Sequence, residues 1–217
     1  MKYINNIFSQ ASKLYTYDAY RALVKSLYEE GKVTGPVQSE VLLDTTKMNL
    51  HRFKRLENRY QVSDEFKHVL SQIKGNWTWY LITEGWCGDA SQTVPVIAKM
   101  AEASDQIDLK VLLRDDNPEI MDKYLTNGGK AIPILVAVNN DTGEELKHWG
   151  PRPKMIQKMV DDYKLNHPDF DKHEFAKKLH VWYARDKGMA VEEDIIDVLN
   201  SGMVVDKERF KAMKVSA

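Results

Sequence analysis

The chain has 217 residues, of which 43% are apolar and 29% charged, so it can fill a core and cover a surface; 31 basic and 32 acidic residues leave a net charge of −1. That balance carries no electrostatic footprint for nucleic acid or for an anionic membrane. A single cysteine, Cys87, excludes any intramolecular disulfide, a disulfide-stapled scaffold and a cysteine-rich zinc knuckle.

The opening stretch, Met1 to Gln10, has one lysine and a short apolar patch broken by asparagines, which is not a signal-peptide pattern. No apolar run approaches a membrane span, and the default expectation is a cytoplasmic, soluble protein. Residues 12–74 read as helical. Tyr17, Tyr20, Leu23, Val24, Leu27 and Tyr28 recur at helical steps up to Gly31, and Pro36 suits a first helical turn. Leu42, Thr46, Asn49, Phe53, Leu56 and Tyr60 then keep a 4-3-4-3-4 spacing, and Ser63 is a candidate N-cap for a short helix.

From Trp77 the pattern changes. Trp77–Thr83 is aromatic and β-branched and predicts a strand. A helix is expected from about Asp89 to Ser104, a second strand at Ile107–Leu113 and a helix at Pro118–Thr126. A third strand is expected at Ile134–Val138. The Asn139–Gly143 cluster predicts a hairpin turn into a fourth strand, Glu145–Trp149, antiparallel to the third. The first three strands alternate with helices, which predicts parallel neighbours joined by right-handed crossovers. Helices return after Pro153, to about Tyr163, after Asp169 and over Val191–Leu199. The Lys-rich last dozen residues are expected to fray.

The sharpest local feature is Glu84-Gly85-Trp86-Cys87-Gly88-Asp89-Ala90, between a strand and a helix. A sulfur at a helix N-terminus faces unpaired N–H groups and the positive end of the dipole, and both favour the thiolate. Gly88 allows a tight turn. Asp89 opposes a second negative charge while capping the helix. The plainer alternative is a buried, inert cysteine. Ala131-Ile132-Pro133 ahead of a core strand is the second feature, because a proline there cannot donate to the ladder; a cis bond is one solution and an ordinary trans proline the other.

Together these features are in register with a known pattern. Trp86-Cys87-Gly88 is followed by Pro95 inside the helix, eight residues after the cysteine. Asn117-Pro118 opens the next helix, Ile132-Pro133 lies 46 residues after the cysteine, and Gly150 ends the hairpin. Over roughly residues 70–165 this resembles the thioredoxin family, with its W-C-G-P-C motif, kinking proline, Asn-Pro, cis-proline pair and groove glycine. The flanking helices resemble a bacterial thioredoxin-like subfamily. The resemblance implies an α/β thioredoxin-like fold, a central mixed four-stranded sheet flanked by helices. It divides the chain into an N-terminal helical extension (1–69), the thioredoxin-like domain (70–165) and a C-terminal helical extension (166–217).

The departures bear on function. Ala90 replaces the second thiol and Asp89 the motif's proline, while Leu81 and Val111 stand where the family has its buried acid and the partner lysine. A dithiol cycle inside one molecule is excluded. The resemblance then implies monothiol exchange through Cys87 on a disulfide-bearing or sulfenylated protein or a small thiol. An external thiol such as glutathione would act as co-substrate and no cofactor would stay bound. The alternative is a redox-inactive binding module whose groove takes a peptide or protein partner, and a homodimer is compatible with either. Trp86, Gly88, Asp89, Ala90, Ile132, Pro133, Gly150 and Arg152 would line that loop and groove. Arg152 could reach the sulfur or an anionic substrate, or stay solvated between Pro151 and Pro153; Glu84, Lys130 and His148 are the other polar neighbours. The six histidines show no metal-binding spacing, and no phosphate loop is present.

Overall fold

In the computed structural model, residues 7–167 and 171–200 are described; the expected cap at Asp169 and the Lys-rich tail lie outside them. A short 3-10 turn, Ile7–Gln10, precedes α1 (Tyr17–Glu29), α2 (Glu40–Arg59) and α3 (Asp64–Ser71). The central layer follows as β1 (Trp77–Thr83), α4 (Ala90–Glu102), β2 (Ile107–Leu113), α5 (Pro118–Met121) and β3 (Ile134–Asn139). It is followed by α6 (Lys154–Asn166), α7 (Lys172–Asp186) and a last helix, α8, over 189–200. None of the helices among the described residues is long and apolar enough to cross a membrane.

The helix caps follow the local chemistry. Ser63 caps α3, its hydroxyl accepting from Phe66 N at 3.0 Å. Pro36 does not open α2: that helix starts at Glu40, where the Ser39 hydroxyl accepts from Leu42 N, and Pro36 stays in the preceding loop.

The sheet has three strands in the order β2-β1-β3. β1 is the central strand and is buried along nearly its whole length, as its unbroken apolar run requires. β2 runs parallel to it with Trp77 opposite Ile107. β3 runs antiparallel, with Ile82 opposite Ile134 and Trp77 opposite Asn139, and so corrects the expectation of three parallel strands. The physical reason is the connection. The chain leaves β2 beside the end of β1, and the expected helix at 118–126 stops at Met121 without carrying it across the sheet to the start of β1. The chain instead re-enters beside the end of β1, and this brings Ile132 to the loop that carries Cys87.

The expected fourth strand is also corrected. The turn at Asn139–Gly143 forms, but Glu145–Trp149 meets β3 only at two isolated bridges, Val138 to Glu145 and Leu135 to Trp149. These bridges are out of step by one residue, so an extra residue on the 145–149 side breaks the ladder, as a bulge does. On the far edge of the sheet, Tyr15 exchanges two 2.8 Å backbone bonds with Val111 of β2.

One apolar core joins the sheet and α4 to Tyr20 and Val24 of α1, Phe53 and Leu56 of α2, Phe66 and Leu70 of α3, and Val191, Ile195 and Leu199 of α8. A smaller cluster joins Ile156 and Val160 of α6 to Phe175, Leu179 and Tyr183 of α7. Phe53 is fully buried, edge-on to Tyr20 and covered by the Arg21 guanidinium. Truncating it removes a large side chain from a tight site, so Phe53→Ala is expected to lower unfolding free energy by about 3–5 kcal/mol. Ser63→Ala removes one cap and is expected to cost about 1 kcal/mol. Urea denaturation of the two variants checks the order.

Candidate functional site

β1 ends at Thr83, and the chain turns through Gly85 and Trp86 to Cys87 before α4 begins at Ala90. Side chains from the N-terminal helices hold the turn. Asn49, buried on α2, donates through Nδ2 to Gly85 O (3.0 Å) and to Cys87 O (3.1 Å). The Thr34 hydroxyl accepts from Gly85 N (2.9 Å), and Trp86 Nε1 donates to Thr34 O (3.1 Å). Asn49 was legible only as a polar residue in an otherwise mostly apolar helical stripe, and Thr34 carried no signal.

Cys87 is buried, with 9% of its surface exposed, and its Sγ donates to Ile132 O at 3.4 Å. Burial and then the Asp89 carboxylate push its thiol up to about 12, against the backbone N–H groups of Ala90 and Asp89 and the charge of Arg152, which pull it down. The expected thiolate-favouring helix terminus is therefore present but outweighed, and in this geometry the sulfur is not an accessible nucleophile.

Asp89 stands at the N-cap position of α4, but its side chain makes no capping bond. Its carboxylate turns away to Arg152, with Oδ2 2.7 Å from Nη2, and its Oδ1 accepts from Tyr183 OH at 3.0 Å. Burial pushes the Asp89 carboxyl up, and the charge and hydrogen bonds of Arg152 and the Tyr183 hydroxyl pull it back. Arg152 is thus neither solvated nor bonded to the sulfur. Tyr183 belongs to α7. His180, on the same helix, sits over Gly88, where an added Cβ would come within 3.2 Å of its ring. Side chains of α7 thus meet both Gly88 and Asp89 of the cysteine loop.

The other predicted residues separate into two groups. Ile132 meets Cys87 through its carbonyl, and Pro133 and Gly150 pack on each other beside it: the Ile132-Pro133 bond is cis, and Gly150 adopts φ +125° directly against Pro133 O, a space only a glycine fills. Ala90 is fully buried as the first residue of α4, and Leu81 is core. Trp86 is half-buried with the Arg114 guanidinium 4.8 Å above its ring, and Arg114 also donates to Lys130 O. Lys130 itself pairs with Asp122 at 2.8 Å, and His148 is exposed at the edge of Tyr124, so neither side chain joins the loop.

A buried acid does lie near the cysteine, but three residues before it. Glu84 is wholly buried; Oε1 accepts from Asp115 N at 2.9 Å, and burial pushes its carboxyl up to about 7 despite that bond and the Thr34 hydroxyl. Glu84 borders a cleft of about 540 Å³ through its neighbours Thr34 and Asp115, which line it with Tyr15, Leu27 and Lys32. Among the described residues no cluster of three or more His, Cys, Asp or Glu could hold a metal ion.

Two predictions follow the electrostatics. A folded-state carboxyl raised from 4.5 to about 7 contributes stability that is present below pH 4.5 and lost as pH rises through 7. The loss is of order 3 kcal/mol by linkage. Glu84→Gln keeps the acceptor and removes the charge, so its urea midpoint should gain on the wild type between pH 4.5 and 8. Asp89→Asn removes the nearest negative charge and should lower the Cys87 thiol pKa, read from thiolate absorbance. It should also destabilise the fold by about 2–3 kcal/mol, because Arg152 loses its partner.

The sequence model of a family described as Thioredoxin matches residues 35–164, more than half of the chain. A crystal structure of a protein of unknown function from Pseudomonas aeruginosa aligns over 87% of this chain and 99% of its own, at 12% identity and TM-score 0.52. An HIV epitope-scaffold aligns over 86% and 98%, at 14% identity and the same TM-score. Likeness at these identities speaks for the fold alone. No curated protein matches this chain.

Proposed function

This chain belongs to the thioredoxin family, and from that premise we propose that its function is binding rather than dithiol chemistry: a thioredoxin-fold module whose groove takes an extended segment of a peptide or protein partner. One observation carries the reading. The Cys87 thiol is buried, donates to Ile132 O and faces the Asp89 carboxylate, which together keep it protonated near neutral pH. Ala90, Leu81 and Val111 support it, since the position of the second thiol and the two positions that would move its proton are all core. What remains at the loop is a recognition surface. Trp86 presents a half-buried indole under Arg114, beside the backbone of Lys130 to Pro133, a place where an extended chain can lie against main-chain donors and acceptors.

A monothiol reading has one specific support, the Ala90 and Asp89 amides that still favour the thiolate. In that reading the Cys87 thiolate attacks a disulfide sulfur and expels one thiolate, and an external thiol such as glutathione resolves the mixed disulfide.

Alkylation of Cys87 between pH 6 and 10 separates the two. The native thiol should stay unreacted at pH 8, where the urea-unfolded chain reacts as a free cysteine with a pKa of about 8.5. Peptides selected by phage display should bind Cys87→Ser as tightly as the wild type and Trp86→Ala about tenfold more weakly. Rapid native alkylation at pH 7, with stoichiometric mixed-disulfide formation from glutathione disulfide, would overturn the binding reading.

A further inference from the structure

The half-buried arginines are of two kinds. Arg21, Arg114 and Arg152 each hold a carboxylate, at 2.6 Å on Glu57, 2.7 Å on Asp115 and 2.7 Å on Asp89. Arg52 and Arg55 of α2 hold only amide oxygens: Arg52 Nη1 donates to Asn49 Oδ1 (2.8 Å) and Arg55 Nη2 to Gln92 Oε1 (2.7 Å). Among the described residues neither has a carboxylate within ion-pair distance. Asp89 faces Arg52, but both of its oxygens are engaged by Arg152 and Tyr183. The two arginines are three residues apart, and Arg59 follows four residues later, so like charges stack along one helical face, an arrangement that destabilises a helix left without counter-charge.

His180 of α7 completes the cluster. Gln92 is 2% exposed and bridges it: with Oε1 accepting from Arg55, its amide N donates to His180 Nδ1 at 3.2 Å. That fixes the imidazole as the tautomer with its proton on Nε2, the atom that lies over the side-chain-free Gly88. Burial, followed by Arg52 and Arg55, depresses His180 to about 4, so at neutral pH it is a neutral donor beside two cations.

We propose that Arg52, Arg55 and His180 form a binding site for a phosphate dianion, either free or as the phosphoryl group of a small molecule, at the shoulder of the cysteine loop. Two guanidinium forks and one imidazole N–H offer more donors than a monocarboxylate's two oxygens accept, and a tetrahedral dianion accepts from all three. The phosphate site does not rest on the binding reading, and its failure leaves that reading untouched.

Isothermal titration of the intact protein at pH 7.5, with ionic strength held by sodium chloride, uses inorganic phosphate, phenyl phosphate and acetate. Saturable binding of either phosphate is expected, with acetate at least about tenfold weaker. Tighter binding of phenyl phosphate assigns the site to a phosphorylated molecule, and equal binding assigns it to the phosphate group itself. Arg52→Gln and Arg55→Gln should each weaken binding at least about tenfold, while Lys25→Gln on α1 leaves it unchanged. The His180 ring resonances should move with phosphate in the wild type, and this decides alone if a glutamine variant does not fold. Absence of saturable binding below about 10 mM, equal binding of acetate, unchanged binding in the arginine variants or a static His180 ring overturns the proposal.

Discussion

The buried carboxylate of Asp89 organises the functional end of the molecule. It sits at the start of α4, takes Arg152 from the segment before α6 on one oxygen and Tyr183 of α7 on the other, and lies close enough to Cys87 to keep that sulfur protonated. One side chain therefore bears on three things: where the C-terminal helices dock, which way the loop is closed, and, after burial, whether the thiol can ionise. In a protein interior such a pair contributes little net stability over an apolar isostere, but removing one partner leaves an unpaired charge. The pair is thus better read as a constraint on arrangement than as a source of stability.

A second constraint comes from the opposite direction. Asn49 and Thr34 reach the loop's backbone from the N-terminal helices, so the turn around Cys87 is held by residues more than 35 positions upstream as well as by those more than 60 positions downstream. Phe53 and Leu56 of α2 share the core of β1 and α4, which gives Asn49 a rigid base. The match to the thioredoxin family starts at residue 35 and so includes α2.

Local features were legible in the sequence and long-range ones were not. β1, β2, the cap at Ser63, the loop at Trp86 to Gly88 and the Ile132-Pro133 turn each follow from residues close together in the chain. The burial of Cys87 depends in part on a helix over 90 positions on, and no periodicity announces it. The direction of β3 turned on which end of β1 the chain returns to, a long-range choice, and the end of α5 is a boundary that propensity defines poorly. The fourth strand failed by a single extra residue, invisible in an alternating pattern. Arg152 lies between two prolines, which suggested a solvated position, and only the fold brings Asp89 to it.

The two backbone bonds between Tyr15 and Val111 have a consequence for how this protein meets other chains. A three-stranded sheet has two outer rails of unpaired amides, and each is a template for adding a foreign strand. Here Tyr15 occupies the middle of one rail, and the 145–149 segment touches the other at both ends. Lateral growth of the sheet is blocked on both sides. A foreign strand would be left only the tips of the strands, where the chain leaves β1 and enters β3.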